Sequence, residues 1–581
     1  MRHWITRRQA LALMAGAIAA PAVRAASPRP LREIDRYLSR LEGFGFSGGV
    51  LIARGGRAVV QSVHGLADRG TKRRWHVDTI FDVGSCTKQF TAAAIVALEC
   101  DGKLRTSDPI AKYFAEVPAD KASITIHHLL THTAGLQSEF GGDYDVISRD
   151  ALVATTLAAP LLSAPGAKHA YSNVGYSLLA AIVEIAAGKD IDRFLRERLF
   201  RPAGMTSSGY QLSDTERSRI ARGYRDGEDA QLLERADSTK GQMWNLIGNG
   251  GVYSTLTDLH RWLLALQSDA VLPDAGRKKL FHPHALVTSS YAGSGLPLYY
   301  AYGWYVGPQP SGKTLIWHLG GNGTINTALR FHRDDRAWLI YASNVSEFHD
   351  PRYPIPAVER MLGREHIEIP SEVGSITRDQ LARFAGTYCS ATNRALTLTV
   401  RRNFLQVTGE GQEAFAFTTE GKWQSSADFD ALNARTAQAV DSSRMARVDV
   451  LAKSFGSWIT PDELAASEAA FWKKRHDRFG EYIGTRVLGT MKPQSRRYIG
   501  RTIVAIDFHR GTAWREYFWT QDGLIGDVGP ITSPPAAQFF PVSANCLMTF
   551  DPAEARSAKL CLGSDGRLEI AGSDVVLRRS R

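Results

Sequence analysis

The sequence predicts an α+β fold in two parts. The first is one antiparallel sheet with helices packed on it, and the second is mostly β, barrel-like, with an α+β insertion. Three observations carry this. Strand-like segments lie at both ends of residues 28–365 with long apolar helical segments between them. After about residue 366 the texture turns to short alternating strands and turns, and a helix with its own start signal interrupts that stretch near residues 431–535.

Taken in order, the chain begins "MRHWITRRQALALMAGAIAAPAVRAAS". A basic start, an apolar run from Ala10 to Ala20 and Val23-Arg24-Ala25 predict a signal peptide over residues 1–25, cleaved after Ala25. Thr6-Arg7-Arg8-Gln9 ahead of a mild, Ala-rich run suggests the twin-arginine type; a general secretory signal with two arginines is the plainer alternative. Either way the protein is expected to be exported, periplasmic or secreted. No other stretch reaches about 18 apolar residues, so no membrane span is expected in the mature chain.

"GGVLIARGGRAVVQSVHGLAD" (48–68) gives two strands around Arg54-Gly55-Gly56, and "TLIWHLGG", "TALRFH" and "AWLIYASN" give three more between 314 and 344. "TKQFTAAAIVALEC" (87–100) and "GYSLLAAIVEIAAG" (175–188) are helical and apolar on nearly every face, so both should be buried. The predicted arrangement is a sheet closed by its first and last strands, spanning 28–365. Beyond it, "ALTLTVRRNFLQVTG" (395–409) and the segments of 539–579, with turns such as Ser564-Asp565-Gly566, read as an eight-strand-type barrel over 366–430 and 536–581. Thr460-Pro461-Asp462-Glu463 is a capping box opening a helix to about Phe479. "RTIVAIDFHR" (501–510) is a strand of the same insertion, 431–535.

A chain of 581 residues divides into several domains. At 44% hydrophobic and 22% charged residues, with no low-complexity tract or fixed-period repeat, it is neither disordered nor a solenoid. Of the net +11, four arginines precede residue 26, leaving about +7 afterwards. The basic stretches "WKKRHDRFG" and "KPQSRRYIGR" are short and interrupted, so they read as solvated faces and no nucleic-acid partner is expected. Of five cysteines, Cys86 and Cys100 read as buried thiols, while Cys389, Cys546 and Cys561 lie in the strand-rich part, where Cys546 and Cys561 are one candidate pair.

Gly307–Thr314 satisfies the G-x-x-x-x-G-K-[ST] pattern of a phosphate loop. That loop needs a helix beginning at its Lys-Thr, and "LIWHLGGNGTINT" favours a strand instead. Pro308 and Pro310 also remove two amides from the cradle. The segment reads as a hairpin loop between "YAYGWYV" and "TLIWHLGG".

The chemistry lies elsewhere. Ser85 and Lys88, three apart at the start of an apolar helix, lie side by side on one face. An amine among apolar neighbours gives up its charge more readily and can take the serine proton. S-x-x-K alone arises by chance in a long chain. Tyr171-Ser172-Asn173 supplies a phenol that an adjacent ammonium would help to ionise, and an amide able to hold the lysine and a substrate. His318-Leu319-Gly320 sits on a strand ending in glycines, where a ligand backbone can approach closely.

In this order, S-x-x-K, Y-x-N and His-Leu-Gly resemble the serine β-lactamase and penicillin-binding family, in particular class C β-lactamases and the related esterases and D-aminopeptidases. "LLTHTAGL" (129–136), "GNGGVYSTLTDLHRWLLAL" (248–266) and "FSGGVLIARGG" are also similar, so the resemblance covers about residues 30–365. It implies a β-lactamase-like α/β/α sandwich, with Ser85 as acylated nucleophile and Lys88 as its proton acceptor or electrostatic partner. Tyr171 would be a proton shuttle that also activates the deacylating water, and Asn173 would orient Lys88 and substrate. Substrate would contact Asn173, His318, Gly320 and Gly321, with an oxyanion hole from the N–H groups of Ser85 and Gly321.

His318 stands where the family's third motif has a lysine that contacts carboxylates, and a mostly neutral imidazole does so less well. The departure favours an esterase or a D-amino-acid amidase or peptidase. Its substrate would be a small-molecule ester, a D-amino-acid amide or a peptidoglycan-derived peptide. The alternatives are a β-lactamase or D-Ala-D-Ala carboxypeptidase, a cell-wall peptide or β-lactam binder without turnover, and a chain whose C-terminal part is a carbohydrate or lipid binder. His128 and His132 are spaced for a metal, yet no acid lies within that stretch, so no metal or cofactor is expected. A C-terminal barrel after such a domain is similar in layout to D-stereospecific aminopeptidases, in which an added domain can reach over the cleft.

Overall fold

Val50 and Ile52 of strand β1 (Gly48–Arg54) face one side, Leu51 and Ala53 the other, and this period-two alternation organises the N-terminal part. The computed structural model describes residues 29–580 apart from 144, 226–227, 230–242, 289–295, 310–311, 347–352, 393, 402, 457–458, 494–497 and 532; the expected signal peptide lies outside them.

The sheet has eight strands among the described residues. After β1 come β2 (Arg57–His64), β3 (Ala285–Thr288), β4 (Leu298–Tyr300), β5 (Tyr305–Pro308), β6 (Thr314–Gly321), β7 (Asn326–His332) and β8 (Ala337–Ser343), in the order β2-β1-β8-β7-β6-β5-β4-β3. All pairs are antiparallel, and the first strand meets the last, Gly48 opposite Ser343 and Arg54 opposite Ala337. In the phosphate-loop-like segment, Pro308 pairs with Thr314 and Gly307 with Leu315, so Lys313-Thr314 leads into a strand. The Lys313 amine reaches both carboxylate oxygens of Asp335, at 2.7 and 2.9 Å.

Five helices pack on the two faces of this sheet: α1 (Arg29–Glu42), α2 (Lys88–Cys100), α3 (Ile126–Leu130), α4 (Asn173–Ala187) and α5 (Ile355–Leu362). Phe90 and Ile95 of α2 and Leu178 and Ile182 of α4 share a front core with Leu51, Ile316, Trp338 and Ile340. Ile34 and Leu38 of α1 and Val358 and Met361 of α5 cover the rear with Val50, Ile52, Leu339 and Tyr341. Gly188, in the left-handed conformation, stops α4. Cys86 is buried as expected, but Cys100 is exposed, because α2 ends there and turns towards solvent.

Beyond residue 366, strands β9 (Gly386–Cys389), β10 (Ala395–Val400) and β11 (Leu405–Glu410) begin a second sheet. The chain then leaves for helices α6 (Ala427–Arg444) and α7 (Pro461–Phe479) and for β12 (Tyr482–Met491), β13 (Tyr498–Phe508), β14 (Gly511–Thr520) and β15 (Ile525–Ile531), a four-stranded sheet. It returns as β16 (Ala537–Pro541), β17 (Cys546–Asp551), β18 (Arg556–Leu562), β19 (Leu568–Ile570) and β20 (Val576–Arg579). The eight strands β9–β11 and β16–β20 close into a barrel, Tyr388 pairing with Arg579. Closure removes the unpaired edges of the sheet. Tyr388, Leu396, Val407, Phe539 and Leu560 fill its interior. Cys546 and Cys561, directly opposite across β17 and β18, are joined by a disulfide.

Thr460 and Glu463 form the expected capping box. Strand β13 ends at Phe508, because His509 and Arg510 form the two-residue turn into β14. Glu468 of α7 accepts both Nη groups of Arg515 on β14, a buried pair that Ser443 also joins.

The barrel docks behind the first sheet. Phe44 packs edge-on against Phe540 with ring centroids 5.4 Å apart, Tyr37 against Phe550 at 6.0 Å, and the Tyr37 hydroxyl donates to Pro552 O at 2.6 Å. Those contacts lie in the rear layer, away from the face that carries α2 and α4.

Candidate active site

Ser85 lies in a 3-10 turn, Gly84–Thr87, that runs directly into α2. Asp82 shapes the turn by accepting Gly84 N–H at 3.0 Å and Asn322 Nδ2 at 2.9 Å. Gly84 is left-handed (φ 52°), and a Cβ there would strike the Gly321 nitrogen. A Cβ at Gly320 would overlap the Val83 carbonyl oxygen and crowd the Ser85 amide. Two glycines thus let the end of β6 lie directly on the serine turn.

One turn on, Lys88 is fully buried. Its Nζ lies 3.1 Å from Ser85 Oγ, 2.8 Å from Asn173 Oδ1 and 2.9 Å from Asn249 O. The rings of Tyr171 and Tyr176 lie 4.7 and 5.7 Å from it. Burial pushes the amine down to about 7, against an opposing pull from Asp143. At neutral pH a substantial fraction is therefore the free base.

Tyr171 precedes α4, which Ser172 caps by accepting Gly175 N–H. Its hydroxyl is hydrogen-bonded to Ser85, yet burial dominates and holds the phenol well above its usual value. The expectation that a neighbouring ammonium would lower it is overridden, and Tyr171 keeps its proton at neutral pH. The first helical residue, Asn173, donates its backbone N–H to Ser138 O at 2.8 Å while its amide oxygen faces Lys88.

His318 falls on the front of β6, two residues after Ile316. Its Nδ1 lies 2.6 Å from Leu319 O, which can only accept, so the proton sits there. Its Nε2 then accepts from the Tyr300 hydroxyl at 3.1 Å. Burial pushes the imidazole down to about 3, so it is neutral and both nitrogens are occupied.

All seven residues singled out in the sequence, Ser85, Lys88, Tyr171, Asn173, His318, Gly320 and Gly321, converge at the junction of α2, α4 and β6. Three further residues reach the site, His132 and Asn249 from within the family-like stretches 129–136 and 248–266. Asn249 acts through its carbonyl; Tyr300 and His132 reach the site only through tertiary packing. His128 and His132 serve different amides, His128 Nδ1 accepting Thr125 N–H in the cap of α3 and His132 Nδ1 accepting Ser172 N–H. Among the described residues no group of three or more His, Cys, Asp or Glu is placed to hold a metal, and no helix is long and apolar enough to cross a membrane.

A family model described as Beta-lactamase matches residues 38–360, more than half of the chain. The chain belongs to the β-lactamase family. Other members are similar to it along different lengths. Penicillin-binding protein 4* of Bacillus subtilis (strain 168) is 28% identical over 391 residues, covering 63% of this chain and 84% of its own. The D-alanyl-D-alanine-carboxypeptidase/endopeptidase AmpH of Escherichia coli (strain K12) is 31% identical over 243 residues, 40% of this chain and 60% of its own. Esterase EstB of Burkholderia gladioli is 30% identical over 205 residues, 32% and 52% respectively. The octameric penicillin-binding protein homologue from Pyrococcus abyssi matches in fold at 17% identity, TM-score 0.50, over 93% of this chain and 97% of its own. Membership of the β-lactamase family supports a hydrolase.

Proposed function

We propose that the chain is an exported serine hydrolase that cleaves an ester or a D-amino-acid amide or peptide bond through an acyl-enzyme on Ser85. The observation that carries this reading is the buried Lys88 amine, brought to about 7 and held 3.1 Å from Ser85 Oγ. A base poised near the working pH is what proton abstraction needs.

Neutral Lys88 takes the Ser85 proton as Oγ attacks the substrate carbonyl. The amides of Ser85 and Gly321 receive the oxyanion, a contribution often worth about 3 kcal/mol. Tyr171, protonated and hydrogen-bonded to Ser85, hands its proton to the leaving oxygen or nitrogen and is restored through Lys88. In the second half the same pair removes a proton from the attacking water. Asn173 keeps the amine in place throughout.

His318 supports a substrate whose leaving side needs no carboxylate. It is neutral, and its two nitrogens serve Leu319 and Tyr300. That disfavours a β-lactam or a C-terminal carboxypeptide relative to an ester, an amide or an internal peptide bond. Export is supported by the signal-like N-terminus and by the Cys546–Cys561 disulfide, a feature of oxidising compartments.

The test is a panel of p-nitrophenyl esters, D-Ala p-nitroanilide, nitrocefin and a D-Ala-D-Ala peptide, each with wild type and Ser85→Ala. Turnover of an ester or the anilide, lost by about 10⁴-fold in Ser85→Ala, is expected. Near-full activity in that variant overturns the assignment, and labelling of Ser85 without turnover would make the chain a binding protein.

A further inference from the structure

Behind the tyrosine of the site stands a side chain that the proposed chemistry does not use. His132 follows α3, is 1% exposed and adopts a left-handed backbone (φ 56°), which a non-glycine residue holds only at a cost. It touches three successive residues. Its carbonyl oxygen accepts Ala170 N–H at 2.7 Å, its Nδ1 accepts Ser172 N–H at 3.0 Å, and its ring lies against that of Tyr171, centroids 4.3 Å apart and tilted by 35°.

The ring also meets that of Tyr176 at 5.0 Å and that of Tyr300 at 4.6 Å, the tyrosine whose hydroxyl serves His318. Accepting at Nδ1 requires the proton on Nε2, and among the described residues Nε2 has no partner. Burial, with Lys88 nearby, keeps this imidazole neutral. A flat ring with an acceptor next to its Cβ is a combination that only histidine offers: phenylalanine has the ring, asparagine the acceptor.

We infer that His132 is the positioning residue for Tyr171: it fixes that residue's backbone on both sides and its ring from behind, so that the hydroxyl stands on Ser85, and it couples this wall to the His318 strand through Tyr300. The inference rests on the Ser85-Lys88-Tyr171 reading above. A displacement of about 1 Å at such a group is enough to cost roughly 100-fold in rate.

The experiment uses the full chain, with His132→Ala, His132→Phe and His132→Asn beside Tyr171→Phe and Ser85→Ala, on whichever panel substrate the wild type turns over. His132→Phe and His132→Ala should lose about 10- to 100-fold in kcat with KM within about threefold. His132→Asn keeps the acceptor and suits a left-handed backbone, so it should recover about tenfold over His132→Ala. A purely structural role would not produce the decisive result: His132→Phe added to Tyr171→Phe should cost almost nothing further, because the hydroxyl being positioned is already gone. Losses that add in full, or wild-type kcat in His132→Phe, overturn the inference. An active Ser85→Ala would instead sink the reading on which it rests. Should His132→Ala fail to fold, the Asn and Phe variants and the double mutant still decide.

Discussion

Lys88 Nζ and Asn173 Oδ1 lie 2.8 Å apart, so the amine that faces Ser85 is held by an acceptor while being fully buried. An acceptor favours the ammonium; burial favours the free amine and wins, bringing the group to about 7. Only the free amine takes a proton, so kcat/KM should rise with pH and level off above about 7. Asn173→Asp places a negative charge at the same spot and should carry that acid limb upward by about 1–3 units. A pH–rate profile whose limb stays put in the variant would remove Lys88 as the base.

The same burial makes the site costly to the fold. Lys88 titrates near 7 when folded and near 10.4 when unfolded, so between those values the unfolded chain binds the extra proton and stability rises with pH. The slope from this group is about 1.4 kcal/mol per pH unit. Lys88→Met should abolish turnover, raise Tm at pH 7, and show a smaller advantage at pH 9.5. Equal Tm gains at the two pH values would contradict this account.

His318→Lys would supply the cation that carboxylate-bearing substrates require. The ratio of activity on a D-Ala-D-Ala peptide to that on a p-nitrophenyl ester is expected to rise by about 10-fold, one charge-assisted contact. Tm should fall, since the Tyr300 hydroxyl loses its acceptor and a buried amine replaces a neutral ring. An unchanged ratio would show that recognition on this side does not depend on charge.

Much of the site was readable because its parts carry spacing or chemistry of their own. Ser85 and Lys88 are one helical turn apart, Ser172 caps the helix that Asn173 opens, and His318 lies on the front of a strand running into glycines. What escaped depends on atoms without a signature. Asn249 contributes a carbonyl oxygen, which every residue has, and His132 and Tyr300 matter through a packing geometry that only the fold assembles. Tyr171 had a plausible ammonium neighbour, but how deeply its phenol would be buried was not written in nearby residues. The alternating strands of the barrel were visible in the same way, while its docking rests on Phe44 meeting Phe540, nearly 500 residues away.

Glu468 and Arg515 form a buried pair in the insertion, whose core is separate from that of the serine site. Glu468→Ala leaves the guanidinium uncompensated and should destabilise the insertion by about 3–5 kcal/mol. Calorimetry should show an earlier transition, while activity at temperatures below it stays at the wild-type level. Loss of activity without any change in unfolding would instead tie the insertion to catalysis.

Gly84 and Gly320 touch backbone to backbone, with the serine turn on one side and the end of β6 on the other. A joint made of missing atoms has no graded adjustment: any side chain at either position is a wedge, and there is no smaller residue to retreat to. Change at this place is therefore confined to positions that have a side chain to exchange, because a Cβ at either glycine meets backbone.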